Sequence, residues 1–118
     1  MLYKDVYTII GRSDNGIRVR LLADSAIFKA HFPGNPVMPG VCQVGMVGEL
    51  LEGMTGEGLS LSEIKDLKFM EALKPDRAPE CTVVFDKMET VDDRLVVKGL
   101  VKSEERVYTK FSLIYEKA

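Results

Sequence analysis

The side chain best suited to acid–base chemistry near neutral pH occurs once in this sequence, as His31. An imidazole can accept or release a proton under physiological conditions. His31 opens a ten-residue segment, His31–Gly40, in which three prolines restrict the backbone. A stiff segment of this kind can hold one side chain in place, which suits a general base. The alternative is a structural histidine whose ring nitrogens bond to the loop backbone.

The residues after this segment supply a second chemical group. Pro39-Gly40 precedes a helix predicted over Val41–Met54. The first N–H groups of a helix have no partner within it, and they lie at the positive end of the helix dipole. Such donors can polarise a carbonyl or stabilise an enolate-like oxygen. The pattern therefore indicates a base beside a helix N-terminus that holds a carbonyl.

Strand patterns flank this segment on both sides. Ile17, Val19 and Leu21 alternate with polar residues, and Asp14-Asn15-Gly16 is a hairpin-turn signal. The strands are predicted at Tyr3–Ile10, Ile17–Leu21, Ile64–Glu71, Cys81–Met88, Leu95–Lys102 and Arg106–Glu116. The order is two strands, a non-periodic segment, one helix and four strands. We expect an α+β fold in which an antiparallel sheet wraps around one central helix.

The predicted helix is apolar around most of its circumference, so we expect it to be buried on most sides. It also contains Gly45 and Gly48, each of which costs about 1 kcal/mol relative to alanine in a helix. Close approach of another backbone or of a ligand is the expected reason. Cys42, in the first turn, is interpreted as a small core residue rather than a reactive thiol.

Composition excludes several classes of protein. The 118 residues correspond to one domain, 1–118, and the net charge of −2 does not suit a nucleic-acid binder. No apolar run approaches the roughly 20 residues that span a bilayer, and no signal-peptide core is visible. A cytoplasmic protein with free thiols is expected. One histidine and two distant cysteines do not form a zinc-binding pattern.

The proline-rich segment carries a family resemblance. His31-Phe32-Pro33-Gly34-Asn35-Pro36-Val37-Met38-Pro39-Gly40-Val41 resembles the signature of the β-hydroxyacyl-acyl carrier protein dehydratases, the FabZ/FabA-like group of the hotdog superfamily. Leu67-Lys68-Phe69 and Lys74-Pro75-Asp76 are similar to that family's next strand and turn. The similarity extends from about Asp24 to Phe85.

The resemblance implies a hotdog fold, at least a dimer, with active sites at the interface between subunits. The implied substrate is a 3-hydroxyacyl group carried by acyl carrier protein, and the product is a trans-2-enoyl thioester for fatty-acid or related lipid synthesis. His31 would move the proton at the α-carbon, and the N–H of Gly40 or Val41 would hold the thioester carbonyl. The implied substrate-binding residues are Phe32, Pro33, Gly34, Pro39, Gly40 and Val41. No metal or dissociable cofactor is implied.

One position departs from the family pattern. The family has a helix carboxylate five residues after the glycine that matches Gly40, and here that position is Gly45. Glu49, one turn further along, stands where the family usually has glutamine. Glu49 could supply the general acid, or His31 could suffice with water or a hydroxyl from another subunit. Alternatively, the site has lost or changed its reaction and kept acyl binding. Glu49 could also be a solvated or salt-bridged helix residue.

Three functions remain open at this point. The first is a 3-hydroxyacyl-acyl carrier protein dehydratase, active as a homodimer or a larger oligomer. The second is a non-catalytic or partner-dependent acyl-thioester-binding subunit that works with a second hotdog subunit. The third is a hotdog thioesterase in which Glu49 activates a water molecule. Lys65, Lys68, Lys74 and Arg77 could meet an acidic carrier protein or form a solvated strand edge.

Overall fold

Six antiparallel strands form one sheet around a single long helix in a computed structural model that describes all 118 residues. The elements are β1 (Tyr7–Arg12), β2 (Gly16–Leu21), α1 (Ala26–Ala30), α2 (Gly40–Thr55), β3 (Leu59–Phe69), β4 (Glu80–Val91), β5 (Arg94–Ser103) and β6 (Arg106–Lys117). The strand order across the sheet is β1-β2-β4-β5-β6-β3. The predicted α+β architecture is confirmed.

Tight turns join β1 to β2, β4 to β5 and β5 to β6. The turn between β1 and β2 lies at Asp14-Asn15-Gly16, as predicted, and is closed by Ser13 N–H donating to the Gly16 carbonyl at 2.9 Å. Asp92 and Asp93, which connect β4 to β5, both have positive φ, the geometry that matches the twist of a two-residue hairpin. These local signals set the register of most of the sheet.

Helix α2 packs its buried side chains against the sheet and ends at Gly56, whose φ of +73° forms a left-handed C-cap. The buried residues of this helix are Cys42, Gln43, Met46, Val47, Leu50 and Leu51. Neither helix is long and apolar enough to cross a bilayer. The close approaches expected at the two internal glycines come from side chains of this chain: Leu2 lies against Gly45 and Tyr115 against Gly48.

The predicted strand over Tyr3–Ile10 is wrong at its start. Residues Leu2–Val6 form a turn, in which the N–H groups of Asp5 and Val6 both donate to the Leu2 carbonyl. Lys4 has a φ of +74° there, which does not fit an extended strand. Strand β1 therefore begins at Tyr7. Contacts with α2 hold this turn in place, and such long-range contacts cannot be seen in the alternation of neighbouring residues.

The short helix α1 was not predicted within the non-periodic segment Asp24–Pro39. Its five residues are too few to show a helical period, although Ser25 caps it by accepting a hydrogen bond from Ile27 N–H. Phe28 of this helix is fully buried. α1 thus fixes the start of the loop that carries His31.

Strand β3 forms one edge of the sheet and pairs only with β6. It begins five residues earlier than the predicted Ile64–Glu71. Most of its side chains are exposed, including the apolar residues Leu61, Ile64 and Phe69. An edge strand with exposed apolar side chains is a surface suited to pairing with another chain.

Candidate functional site

His31 ends helix α1 and begins the proline-rich loop. Its N–H donates to the Ile27 carbonyl at 3.0 Å, and its own carbonyl accepts from Val37 N–H at 2.6 Å. The imidazole is exposed and makes no hydrogen bond within the chain, and it lies edge-on to the Phe32 ring. The bonds to loop backbone expected of a structural histidine are therefore not made. Both ring nitrogens are free to meet a ligand.

The tip of this loop is closed by its own hydrogen bonds. Phe32 and Asn35 exchange two backbone bonds of 3.1 and 2.8 Å. Gly34 sits between them with a φ of +75°, which glycine adopts without the steric cost of a side chain. Pro33 and Gly34 are exposed at the tip. The loop is thus a short, closed structure that leads back toward α2.

The N-terminus of α2 leaves two donors free. Cys42 and Gln43 N–H both donate to the Pro39 carbonyl at 3.0 and 3.1 Å, whereas the N–H groups of Gly40 and Val41 have no acceptor in the chain. Pro39, at the N-cap, has no side chain that could satisfy them. These donors and the helix dipole favour a carbonyl or anionic oxygen at this point.

Phe69, on edge strand β3, covers the same helix end. A Cβ atom built on Gly40 would lie 2.5 Å from the Phe69 ring, so the ring rests directly against the glycine backbone. Pro39, Gly40, Phe69 and Met70 line part of a cleft of about 350 Å³ here. Phe69 was not among the predicted site residues, although the similarity of Leu67-Lys68-Phe69 to the family strand was a signal for it.

Glu49 has a different set of partners. Its carboxylate accepts hydrogen bonds from Leu2 N–H at 2.7 Å, Tyr3 N–H at 2.9 Å and the Tyr7 hydroxyl at 3.1 Å. Burial, reinforced by the Glu49 charge, raises the pKa of Tyr7 well above its ordinary value. No hydrogen bond joins Glu49 to His31, and no cation pairs with it. Glu49 therefore anchors the N-terminal turn against α2.

Gly45, where the resemblance led us to expect a carboxylate, is covered by the same N-terminal turn. A Cβ atom on Gly45 would lie 3.0 Å from Leu2 Cδ1. Glu49 would need that space to reach across Gly45, and its oxygens are already occupied by donors from the turn. Within one chain, the region next to Gly45 thus presents an apolar side chain instead of an acid.

The remaining sites in the chain lie away from His31. Cys42 and Cys81 are both buried, and burial raises the pKa of Cys42 and brings that of Cys81 to about 12, so neither thiol is activated. This agrees with Cys42 as a core residue. A larger surface cleft of about 760 Å³ is lined mainly by polar and charged residues around Glu80 and Glu104 and contains none of the predicted site residues.

Comparison with known proteins decides the family. The model of the ApeI-like family, described as ApeI dehydratase, matches residues 12–106. The chain belongs to the ApeI-like dehydratase family. This ApeI-like chain is 33% identical over 79 residues to the 3-hydroxyacyl-[acyl-carrier-protein] dehydratase FabZ of Latilactobacillus sakei, covering 61% of this chain and 56% of that one. It is 30% identical over 95 residues to FabZ of Lactobacillus helveticus, covering 75% and 63%. The matches thus span less than two-thirds of these relatives' length.

Solved structures place the ApeI-like chain among hotdog proteins. A chain of the dehydratase heterocomplex ApeI:P from Xenorhabdus doucetiae superposes with a TM-score of 0.60 at 20% identity, covering 98% of this chain and all of that one. A mutant thioesterase from Pseudomonas aeruginosa gives a TM-score of 0.62 at 15% identity, covering 92% and 78%. These likenesses confirm the predicted hotdog fold. Because they include both dehydratase and thioesterase, they do not choose between the two reactions.

Proposed function

We propose that this protein acts on 3-hydroxyacyl thioesters as a dehydratase, forming a trans-2-enoyl thioester and water in fatty-acid or related lipid synthesis. One observation carries the proposal: an exposed His31 with both ring nitrogens unbonded begins a closed loop that leads to two free N–H donors at Gly40 and Val41. A base and a carbonyl-binding site are the two groups needed to remove a proton next to a thioester.

The chemistry follows from these groups. The thioester carbonyl accepts hydrogen bonds from Gly40 and Val41 N–H, which makes the α-carbon proton more acidic. His31 takes that proton, and the electron pair moves toward the carbonyl oxygen, where the donors stabilise the charge. The pair then forms the double bond as the β-hydroxyl leaves with a proton as water. A positioned base contributes about 10²–10⁴-fold to such a rate.

The departing hydroxyl needs a proton that this chain is poorly built to supply. Gly45 has no side chain, and the oxygens of Glu49 are held by Leu2, Tyr3 and Tyr7. We therefore propose that the acid comes from a second subunit, either another copy of this chain or a second hotdog protein. The heterocomplex name of the solved relative supports a two-protein arrangement.

Acyl carrier protein is the proposed carrier of the substrate. Lys68 precedes Phe69 on β3, Lys74 and Arg77 lie in the loop between β3 and β4, and none of them pairs with a carboxylate of this chain. Free basic groups on this part of the chain would attract an acidic carrier protein by long-range electrostatics. Lys65 is less available, because it lies 3.9 Å from Glu63.

The second candidate is a partner-dependent acyl-thioester-binding subunit, favoured by the apolar Leu2 beside Gly45, where the resemblance implies an acid. A thioesterase finds less support, because Glu49 would have to release three hydrogen bonds before it could activate water.

The test is to incubate the pure protein with 3-hydroxybutyryl-pantetheine and record enoyl absorbance and free thiol together. Enoyl formation by the pure protein supports the dehydratase. Enoyl formation only after a second hotdog subunit is added supports the partner-dependent subunit. Thiol release without enoyl formation would replace the proposal with a thioesterase, and no reaction in either mixture would overturn the dehydratase.

A further inference from the structure

Two polar side chains are buried in the core, and they bond to each other. Gln43 on α2 is 4% exposed and Thr109 on β6 is 2% exposed, and apart from tyrosines and cysteines no other polar or charged side chain is buried. The Thr109 hydroxyl donates to the Gln43 side-chain oxygen. Burying an amide is unfavourable unless its hydrogen bonds are satisfied, so an apolar residue would fill this place at lower cost. The pair therefore needs an explanation other than core packing.

The other end of the Gln43 amide reaches the residue that precedes the helix. Gln43 Nε2 donates to the Met38 carbonyl at 3.2 Å, and Met38 N–H donates to the Leu73 carbonyl at 2.8 Å. The Met38 side chain is 1% exposed. The carbonyl of the Met38–Pro39 peptide is thus held by α2, and Met38 itself is held at its N–H by the loop after β3.

This peptide sets the direction of the two free donors. Pro39 has φ −58° and ψ 147°, and its ring allows little change in φ. Gly40 and Val41 follow Pro39 directly, so any rotation of the Met38–Pro39 peptide turns their N–H groups as well. Thr109 supports this helix end in two ways. It bonds to Gln43, and it pairs across the sheet with Phe69, whose ring lies against Gly40.

We propose that Gln43, oriented by Thr109, is a positioning residue that aims the Gly40 and Val41 N–H groups at the carbonyl of an acyl thioester. The inference rests on the proposed function for its ligand class, an acyl thioester, but it concerns binding and does not require turnover. Gln43 is almost fully buried and its amide bonds to Met38 and Thr109, so we expect it to act through the loop. Its loss is expected to weaken recognition of the carbonyl while leaving the acyl chain's contacts unchanged.

The experiment compares two probes that cannot be dehydrated: butyryl-pantetheine, a thioester, and butyl-pantetheine, the matching thioether without the carbonyl. The native chain is expected to bind the thioester about tenfold more tightly, the value of one or two well-placed hydrogen bonds. Gln43→Met keeps the side-chain length and is expected to reduce this preference to below about twofold. Thr109→Val is expected to reduce it in part, and Thr109→Ser to retain it. In parallel, NMR is expected to show shifted Gly40 and Val41 amide resonances in Gln43→Met.

Ser103→Ala is the matched control, because it removes a 2.9 Å hydrogen bond to the Glu80 carbonyl elsewhere in the sheet. It is expected to lower stability without changing the preference. If Gln43→Met does not fold, the preference of Thr109→Val for the thioester over the thioether tests the inference instead. An unchanged preference in the folded variants, or no preference in the native chain, overturns the inference. A clear preference for the thioester that depends on Gln43, without any enoyl formation, would instead support the positioning role of Gln43 and reject the dehydratase function.

Discussion

At the scale of single residues, the structure separates two side chains that the sequence offers as a catalytic pair. His31 is exposed and its ring is unbonded, whereas Glu49 accepts three hydrogen bonds from the N-terminal turn and Tyr7. A catalytic acid must hold or release a proton near the reacting atoms. A carboxylate whose oxygens are engaged by three donors suits an anchoring role.

Replacing His31 with alanine is expected to lower enoyl formation at least 100-fold, because the base is removed. The midpoint of thermal unfolding is expected to change little, since the side chain is exposed and makes no hydrogen bond within the chain. Enoyl absorbance and circular dichroism melting measure the two effects. A variant with an undiminished rate would remove His31 from the mechanism.

Glu49→Gln is expected to give the opposite result. Loss of the charge weakens the hydrogen bonds to Leu2, Tyr3 and Tyr7, and the free energy of unfolding is expected to fall by about 1–3 kcal/mol. Turnover is expected to stay within about twofold. Urea titration and the enoyl assay test this together. A tenfold loss of turnover at native stability would restore Glu49 as a catalytic acid.

At the scale of elements, the N-terminus of α2 depends on a glycine that admits an aromatic ring. Phe69 lies directly over Gly40, so a side chain of edge strand β3 packs against the backbone at the start of the helix. Gly53, further along the same helix, has open space where a Cβ would lie. A side chain would thus collide with Phe69 at Gly40, whereas the space at Gly53 would accommodate one.

Gly40→Ala is expected to destabilise the fold by about 1–3 kcal/mol, because the new methyl group displaces the Phe69 ring. Gly53→Ala is the matched control and is expected to stabilise the helix by up to about 1 kcal/mol. Chemical denaturation of both variants measures the difference. Equal effects in the two variants would show that Phe69 does not press on the helix end.

The sequence predicted elements whose signal is local. Alternation in β2 and β6, the hairpin at Asp14-Asn15-Gly16 and the apolar run of α2 all lie within short windows, and each appears close to its predicted bounds. The N-terminal turn did not follow, because a contact with Glu49 across more than forty residues holds it. The stiff loop of the site was also predictable, whereas Leu2 beside Gly45 and Phe69 over Gly40 were not, since both are long-range contacts.

At the scale of the whole molecule, β3 gives the sheet an unpaired edge close to the proposed site. Phe32, Val41, Ile64, Phe69 and Met70 are each about half exposed or more, and all are apolar. Such a surface is unusual for a chain that stays alone in water. Pairing of β3 with a second subunit would cover part of it and bring another chain near His31.

We expect the protein to sediment as a dimer or larger assembly at micromolar concentration. Ile64→Lys is expected to shift it toward monomer, because a charge on the edge strand opposes pairing. Val91→Lys is the control, since Val91 is 45% exposed at the β4–β5 turn, away from this edge. A native chain that sediments as a monomer would contradict the expectation.

The chain is also expected to lose stability in alkaline solution. Burial raises the pKa of Tyr115 and of Cys81 to about 12 each, so both stay protonated in the folded state after the unfolded chain has begun to ionise. The unfolded state then binds fewer protons, and stability falls as pH rises above about 9. Urea unfolding at increasing pH measures the slope. Tyr115→Phe is expected to make it shallower, and a flat profile in the native chain would contradict the assignment.

The placement of Leu2 beside Gly45 bears on how this protein could change over evolutionary time. A glutamate introduced at position 45 would meet the Leu2 side chain, and its charge would lie close to Glu49, which already holds the N-terminal turn. Introducing an acid there would therefore require the Leu2 side chain to move. The two positions are expected to be epistatic, since neighbouring substitutions of this kind are not additive.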